Sequence, residues 1–148
     1  MRHSAGRWGG IDTRPVIIVS DNPCPEYRLD LLDQGPIALL SDASVLDIVK
    51  VLRGTLPPQQ LYATPLTGVE RATLRLIATD HGSCAIAQTR DVSEQAVKNT
   101  ISALYRKLHL RTRLQAAHYY FGNWHLLLKR GWTPPPHVTV PEALRQDG

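Results

Sequence analysis

From Ser93 to Leu108 the chain reads SEQAVKNTISALYRKL, and the order of apolar and polar residues admits one local structure. Val97, Ile101, Leu104 and Leu108 follow one another at intervals of four, three and four, which stacks them on one side of a 3.6-residue period. That side is expected to face a core. The other side collects Gln95, Lys98, Asn99, Ser102 and Arg106, which place amide, hydroxyl and cationic donors on a rod whose diameter suits the major groove of DNA. Ser93 is suited to cap the free N–H groups of the first turn, and Glu94 complements the positive helix end. Taken alone, a polar helix face is most simply a solvated one. The segments around it decide otherwise.

At 148 residues the chain allows one ordinary domain or two small ones, and 43% hydrophobic residues are enough for a packed core. No apolar run is long enough to cross a bilayer, so no membrane association is expected. The opening MRHSAGRWGGIDTR is basic but has no apolar segment behind it, which argues against secretion. Cys24 and Cys84 have neither a metal-ligand spacing nor a disulfide framework, so a reduced, cytoplasmic protein is expected. The histidines at 3, 81, 109, 118, 125 and 137 are scattered, with only His118 and His125 two turns apart; neither a metal nor another cofactor is expected. The net charge of +4 conceals an asymmetry. Residues 66–130 hold ten Lys or Arg against four Asp or Glu, while residues 15–65 hold three against six. Positive charge is therefore concentrated around the amphipathic helix, as a polyanion such as DNA, or an acidic protein, would require.

Residues 1–14 show no apolar period and are expected to be disordered or irregular. Val16 to Val19 is a run of β-formers without alternation, the pattern of a strand covered on both faces. Asp21-Asn22-Pro23 breaks it, and Pro25 opens a helix expected to reach about Gln34, where Gly35-Pro36 stops it. Ile37 to Leu40 reads as a second short strand. Ser41 to Ser44 then offers caps for a helix to about Arg53, carried by Val45, Leu46, Val49 and Leu52.

This β-α-β-α order resembles the C-terminal part of a bacterial response-regulator receiver domain. Ser20 stands where such receivers end a strand in Ser or Thr, Pro25-Glu26-Tyr27 matches a helix start, and GPIALLSDAS resembles the last strand-to-helix junction, with Ser41 in place of the family's lysine. No residues before Pro15 supply the earlier strands, the acidic pair that holds Mg²⁺ or the phosphoacceptor aspartate. Conventional aspartyl phosphorylation is therefore not expected. A partial sheet of this kind needs a partner surface, and in receivers this region is a dimer interface.

Residues 54–65, GTLPPQQLYATP, have the composition of a linker. Thr67-Gly68-Val69-Glu70 then fits a capping box at the start of a helix that buries Leu74, Ile77 and Ala78. A short helix from Cys84 to Thr89 and a turn at Arg90-Asp91-Val92 lead into the helix described first. Helix, tight turn and N-capped polar helix make a helix-turn-helix, with 84–89 as scaffold and 94–108 as reader.

Residues 66–117 resemble the LuxR-type (NarL/FixJ) C-terminal DNA-binding domain. The resemblance rests on Leu66, Thr67, Glu70, Leu74, Leu76, Ile77 and Ala78, then Ile86 and Ala87, then Ser93, Val97 and Lys98, then Lys107 and Leu108, and finally Arg113, Ala116 and Ala117. Gly68, Asp80, Gly82, Ala85, Ala96 and Thr100 depart from the family's Pro, Gly, Ser, Glu, Thr and His, which removes a cap from the scaffold helix unless Ser83 supplies it. The resemblance implies a mostly α fold with a C-terminal tetrahelical LuxR-type helix-turn-helix domain, here preceded by a partial β-α-β-α receiver-like segment. It places Lys98, Asn99 and Ser102 at base edges and Ser93, Gln95, Thr100, Arg106 and Arg113 near phosphates. The chemistry of the first three agrees, since Lys can donate to guanine and Asn can bind adenine bidentately. Arg106, Lys107, Arg111 and Arg113 read as phosphate clamps that set register.

A fourth helix is expected from about Thr112 to Lys129. In the family it provides the dimer contact, and Tyr120, Trp124 and Leu128, at four-residue spacing, are the candidate exposed patch here. Residues 131–148 are Pro-rich and expected to be extended or disordered. The expected function is that of a sequence-specific DNA-binding transcriptional regulator, a homodimer on an inverted-repeat site in double-stranded DNA, with RNA polymerase a further candidate partner. Two alternatives are a sigma-factor-like region and a modulator that heterodimerises with full-length response regulators. No nucleophile elbow, phosphate loop or metal motif points to an enzyme.

Overall fold

A computed structural model describes residues 15–41, 44–55 and 62–145. The expectations for residues 1–14 and for the middle of the linker, 56–61, lie outside them. Two compact units are present, Met1–Asn22 with Tyr27–Tyr62 and Pro23–Glu26 with Ala63–Gly148.

In the first unit, β1 (Ile17–Val19) and β2 (Ala38–Leu40) pair in parallel, with Ile17 opposite Ala38 and Val19 opposite Leu40. Each strand is one residue shorter than its apolar run. β2 is buried throughout, but Val19 on β1 and Val16 just before it are about half exposed, so the expected coverage of both faces holds for β2 alone. α1 (Pro25–Leu32) joins the strands and stops short of Gln34, in a turn that ends at Gly35 with φ +76°. α2 (Val45–Leu52) is capped by Ser44, whose Oγ accepts from the Asp47 N–H at 3.1 Å. None of its residues is buried; Val45, Leu46 and Leu52 are 79, 62 and 65% exposed. The apolar stripe read from the sequence exists, but among the described residues Val45, Leu46 and Leu52 stay largely uncovered.

A buried arginine ties this unit together. The Arg28 guanidinium donates to the carbonyls of Asn22 (2.7 Å) and Ser20 (2.8 Å), to Ser41 Oγ (3.0 Å) and to the Tyr62 hydroxyl (3.0 Å). Planar, multidirectional donation of this kind is beyond a lysine. Ser41, the position at which the receiver resemblance has a lysine, thus accepts from a cation supplied by α1.

The second unit contains α3 (Gly68–Ala78), α4 (Ser83–Arg90), α5 (Glu94–Leu108), α6 (Arg113–Tyr120) and α7 (Trp124–Lys129). The capping box of α3 is formed: Thr67 Oγ1 accepts from the Glu70 N–H at 3.2 Å, and Glu70 Oε2 from the Thr67 N–H at 2.8 Å. Leu74, Ile77, Ile86, Val97, Leu104, Leu108 and Leu127 make the core. No helix among the described residues is long and apolar enough to cross a membrane.

Two expectations for the C-terminal third are corrected. The fourth helix is not continuous to Lys129. It ends in a left-handed turn at Gly122, φ +77°, where the N–H groups of Gly122 and Asn123 bond back to the carbonyls of Tyr119 and His118 at 3.2 and 2.8 Å. This is the Schellman arrangement, which glycine adopts without a Cβ penalty. The break turns Trp124 inward, so Tyr120 and Trp124 are buried at 4 and 0% exposure and do not form an exposed patch with Leu128, which is itself half-buried. Nor is the described tail free. Trp132, Pro135, Val138 and Val140 are buried, and a 3-10 turn follows at Glu142–Leu144. Trp132 packs against Tyr119 and Trp124 with ring centroids 5.8 and 5.9 Å apart, and its Nε1–H donates to the Leu108 carbonyl at 3.0 Å.

A buried carboxylate also belongs to this unit. Glu26 is wholly enclosed and accepts hydrogen bonds from Thr64 Oγ1 (2.5 Å), the Tyr119 hydroxyl (2.8 Å) and the Cys24 thiol (3.4 Å), with His137 Nε2 at 3.3 Å. Burial alone would raise its pKa, but the hydrogen bonds from His137, Thr64 and Tyr119 hold it below the ordinary carboxyl value. Burial, with the Glu26 charge beside it, pushes the Tyr119 hydroxyl far above its usual value.

Candidate nucleic-acid interface

α4 and α5 meet at a left-handed residue, Asp91 (φ +52°), where the Val92 N–H returns to the Ala87 carbonyl at 3.0 Å. This turn points α5 away from the scaffold helix. No side chain caps α4: Gly82 is its N-cap and Ser83 lies inside the helix, so Ser83 does not replace the missing cap. The loss costs only a few tenths of a kcal/mol, because glycine is itself tolerated at an N-cap.

α5 has the bounds its periodicity indicates. The Ser93 hydroxyl accepts from the Ala96 N–H at 3.1 Å, and the helix closes at His109, φ +57°, with the Leu110 N–H on the Tyr105 carbonyl at 2.8 Å. Val97, Leu104 and Leu108 are fully buried, and Ile101 is half-buried at the margin of the stripe. Gln95, Lys98, Asn99, Ser102 and Arg106 are exposed, and Thr100 is half-buried.

These side chains are held lightly. Lys98 Nζ lies 3.1 Å from Glu94 Oε1 one turn back, both about half exposed, a pair whose worth is about 0.5 kcal/mol and which a phosphate or base edge can outcompete. Gln95 donates to the Asn99 amide oxygen at 3.0 Å, linking two amides on the exposed face of the helix. Ser102 and Thr100 return their hydroxyl protons to the carbonyls of Lys98 (3.0 Å) and Ala96 (2.9 Å), which leaves their oxygens able to accept. Ser93 serves as cap and lies at the helix mouth, where the free N–H groups of the first turn suit an anion.

The four cations read as clamps separate into two groups. Arg106 and Arg111 are exposed; the Arg111 backbone N–H is held by Gln115 Oε1 at 2.7 Å, which sets the start of α6. Arg113 is exposed and donates through Nη2 to the His81 carbonyl, so it bridges α6 to the loop before α4. Lys107 is different. Its Nζ lies 2.9 and 2.7 Å from the two Glu70 carboxylate oxygens and 3.2 Å from the Pro65 carbonyl. Burial tends to raise the Glu70 pKa, but Lys107 and the Thr67 N–H bring it below the ordinary value. A lysine so engaged is an internal tie between α5 and the start of α3, and its reading as a phosphate clamp is corrected. The charge-run signal that selected Lys107 has no information about this partner, which is 37 residues away.

The profile of the bacterial regulatory proteins of the luxR family matches residues 64–120, which contain α3, α4, α5 and α6. No curated protein matches the chain. Among solved structures, it is similar to the RcsB response regulator of Salmonella typhimurium, described for its conformational dynamism in DNA interaction, at 20% identity and a TM-score of 0.37, over 71% of this chain and 60% of that one. A second structure, of two RcsB dimers bound to two parallel DNAs, is similar at 20% identity and a TM-score of 0.36, over 71% of this chain and 58% of that one. The chain thus spans about three-fifths of the length of these structures. Residues 64–120 are thus a helix-turn-helix domain of the luxR type found in bacterial regulatory proteins.

Proposed function

We propose that this chain is a sequence-specific transcriptional regulator that lays α5 in the major groove of double-stranded DNA. The observation that carries this reading is the exposed set Lys98, Asn99 and Ser102 on one face of α5, with Val97, Leu104 and Leu108 buried behind it. Gln95, Thr100, Arg106, Arg111 and Arg113, with the capped start of the helix at Ser93, serve as phosphate contacts that set register.

The regulator acts as a dimer on a two-fold-related site. With Tyr120 and Trp124 buried, Leu114 on α6 and Phe121 at its C-cap, 53 and 45% exposed and seven residues apart, replace them as the dimer contact. Selection of bound sequences from random duplex DNA at two salt concentrations tests the whole reading. An inverted-repeat consensus is expected. Uniform, salt-sensitive binding to every duplex would overturn it.

A further inference from the structure

α7 and the tail after Trp132 line a half-open groove of about 520 Å³, which is within the size range of small-molecule sites. All of its lining residues lie between 125 and 145, outside the residues that match the luxR profile, so the DNA-binding reading does not account for it. Its chemistry is two-sided. Leu128, Val138, Val140 and Leu144 supply an apolar floor. Lys129 and Arg145, both exposed, stand at its rim, and none of the described lining residues is acidic.

Along the apolar floor of the groove, displacing water with hydrocarbon is favourable. Two cations at the mouth select the sign of the polar end. Their long stems can lie along the apolar surface while the charged heads remain in water, which suits an anion held at the boundary. A neutral hydrocarbon would leave that charge unused, and a cationic amphiphile would be repelled.

We propose that this groove binds a medium-chain carboxylate, with its hydrocarbon on Leu128, Val138, Val140 and Leu144 and its carboxylate facing Lys129 and Arg145. Titration calorimetry of the full chain with octanoate, 1-octanol and octylammonium tests it, alongside two variants checked for native helix content by circular dichroism. Octanoate is expected to bind with one molecule per chain, and the alcohol and the ammonium at least about tenfold more weakly, about 1.4 kcal/mol. Lys129→Glu with Arg145→Glu, both at exposed positions, should weaken octanoate by at least about tenfold. Leu128→Trp, which fills the hollow from a half-buried position, should abolish binding. Absence of octanoate binding, equal binding of octylammonium, or octanoate binding that survives both variants would overturn the proposal.

Discussion

Two neighbouring cations, Arg106 and Lys107, show how little a residue's type says about its work. Both sit in the last turn of α5, where positive charge complements the helix dipole. Arg106 faces solvent, so Arg106→Ala should leave the melting temperature nearly unchanged and lower the slope of log affinity against log salt by about one phosphate contact. Lys107→Met should do the reverse. It strands the Glu70 carboxylate, 10% exposed, at the start of α3, and is expected to cost about 2 kcal/mol of stability while changing the salt slope little. Denaturant unfolding together with binding at several salt concentrations separates the two, and equal loss of salt dependence in both variants would refute the distinction. Lys98→Ala belongs to a third kind: a weaker complex by about 1–3 kcal/mol, with relaxed preference at one base position in the selected consensus.

Among the elements, helix ends decide more than helix interiors. α3, α4 and α5 each close on a non-glycine residue in the left-handed region, Asp80 (φ +67°), Asp91 and His109. Asp80 is informative because the luxR-type resemblance has glycine there. The N–H groups of Asp80 and His81 return to the carbonyls of Ile77 and Leu76 at 3.1 and 3.0 Å, so the turn is formed despite the Cβ. Asp80→Gly should therefore stabilise the protein by about 1 kcal/mol, a rise of several degrees in thermal unfolding; a fall would show that the aspartate makes a compensating contact. The same physics explains which elements were legible in the sequence. α5 was, from Ser93 to Leu108, because its periodicity, its cap and its buried stripe all agree. The α6 and α7 break was not, because apolar residues continue through Phe121 and Trp124 and only the backbone at Gly122 turns. The packing of the tail was not legible for a related reason. Its prolines argue against regular structure, and they do so correctly, but irregular chain can still pack, as Trp132 and Val138 do.

On the scale of the whole molecule, pH reports on the buried acids. Glu26 and Glu70 both titrate below their ordinary value near 4.5 in the folded chain. A carboxyl with a depressed folded pKa adds stability that is present above the unfolded value and is lost as pH falls through the folded one. Thermal stability is thus expected to hold between about pH 5 and 7 from these groups and to decline below about 4.5. Glu26→Gln should flatten that acid limb and lower stability at neutral pH by about 3 kcal/mol, since the carboxylate and the donors from Thr64, Tyr119 and His137 are enclosed together. An acid limb unchanged in the variant would count against this role. What the amino-acid order settled without help was periodicity: the helices before the break at Gly122, the capping box at Thr67, and the exposed side of α5 with its polar set. Which charges are spent inside, where the fourth helix bends, and how Glu26 and the tail come to rest beside Tyr119 were decided only in the tertiary structure. Local periodicity records which way a side chain faces on its own helix, whereas a partner 37 or 93 residues distant depends on packing that no local pattern encodes.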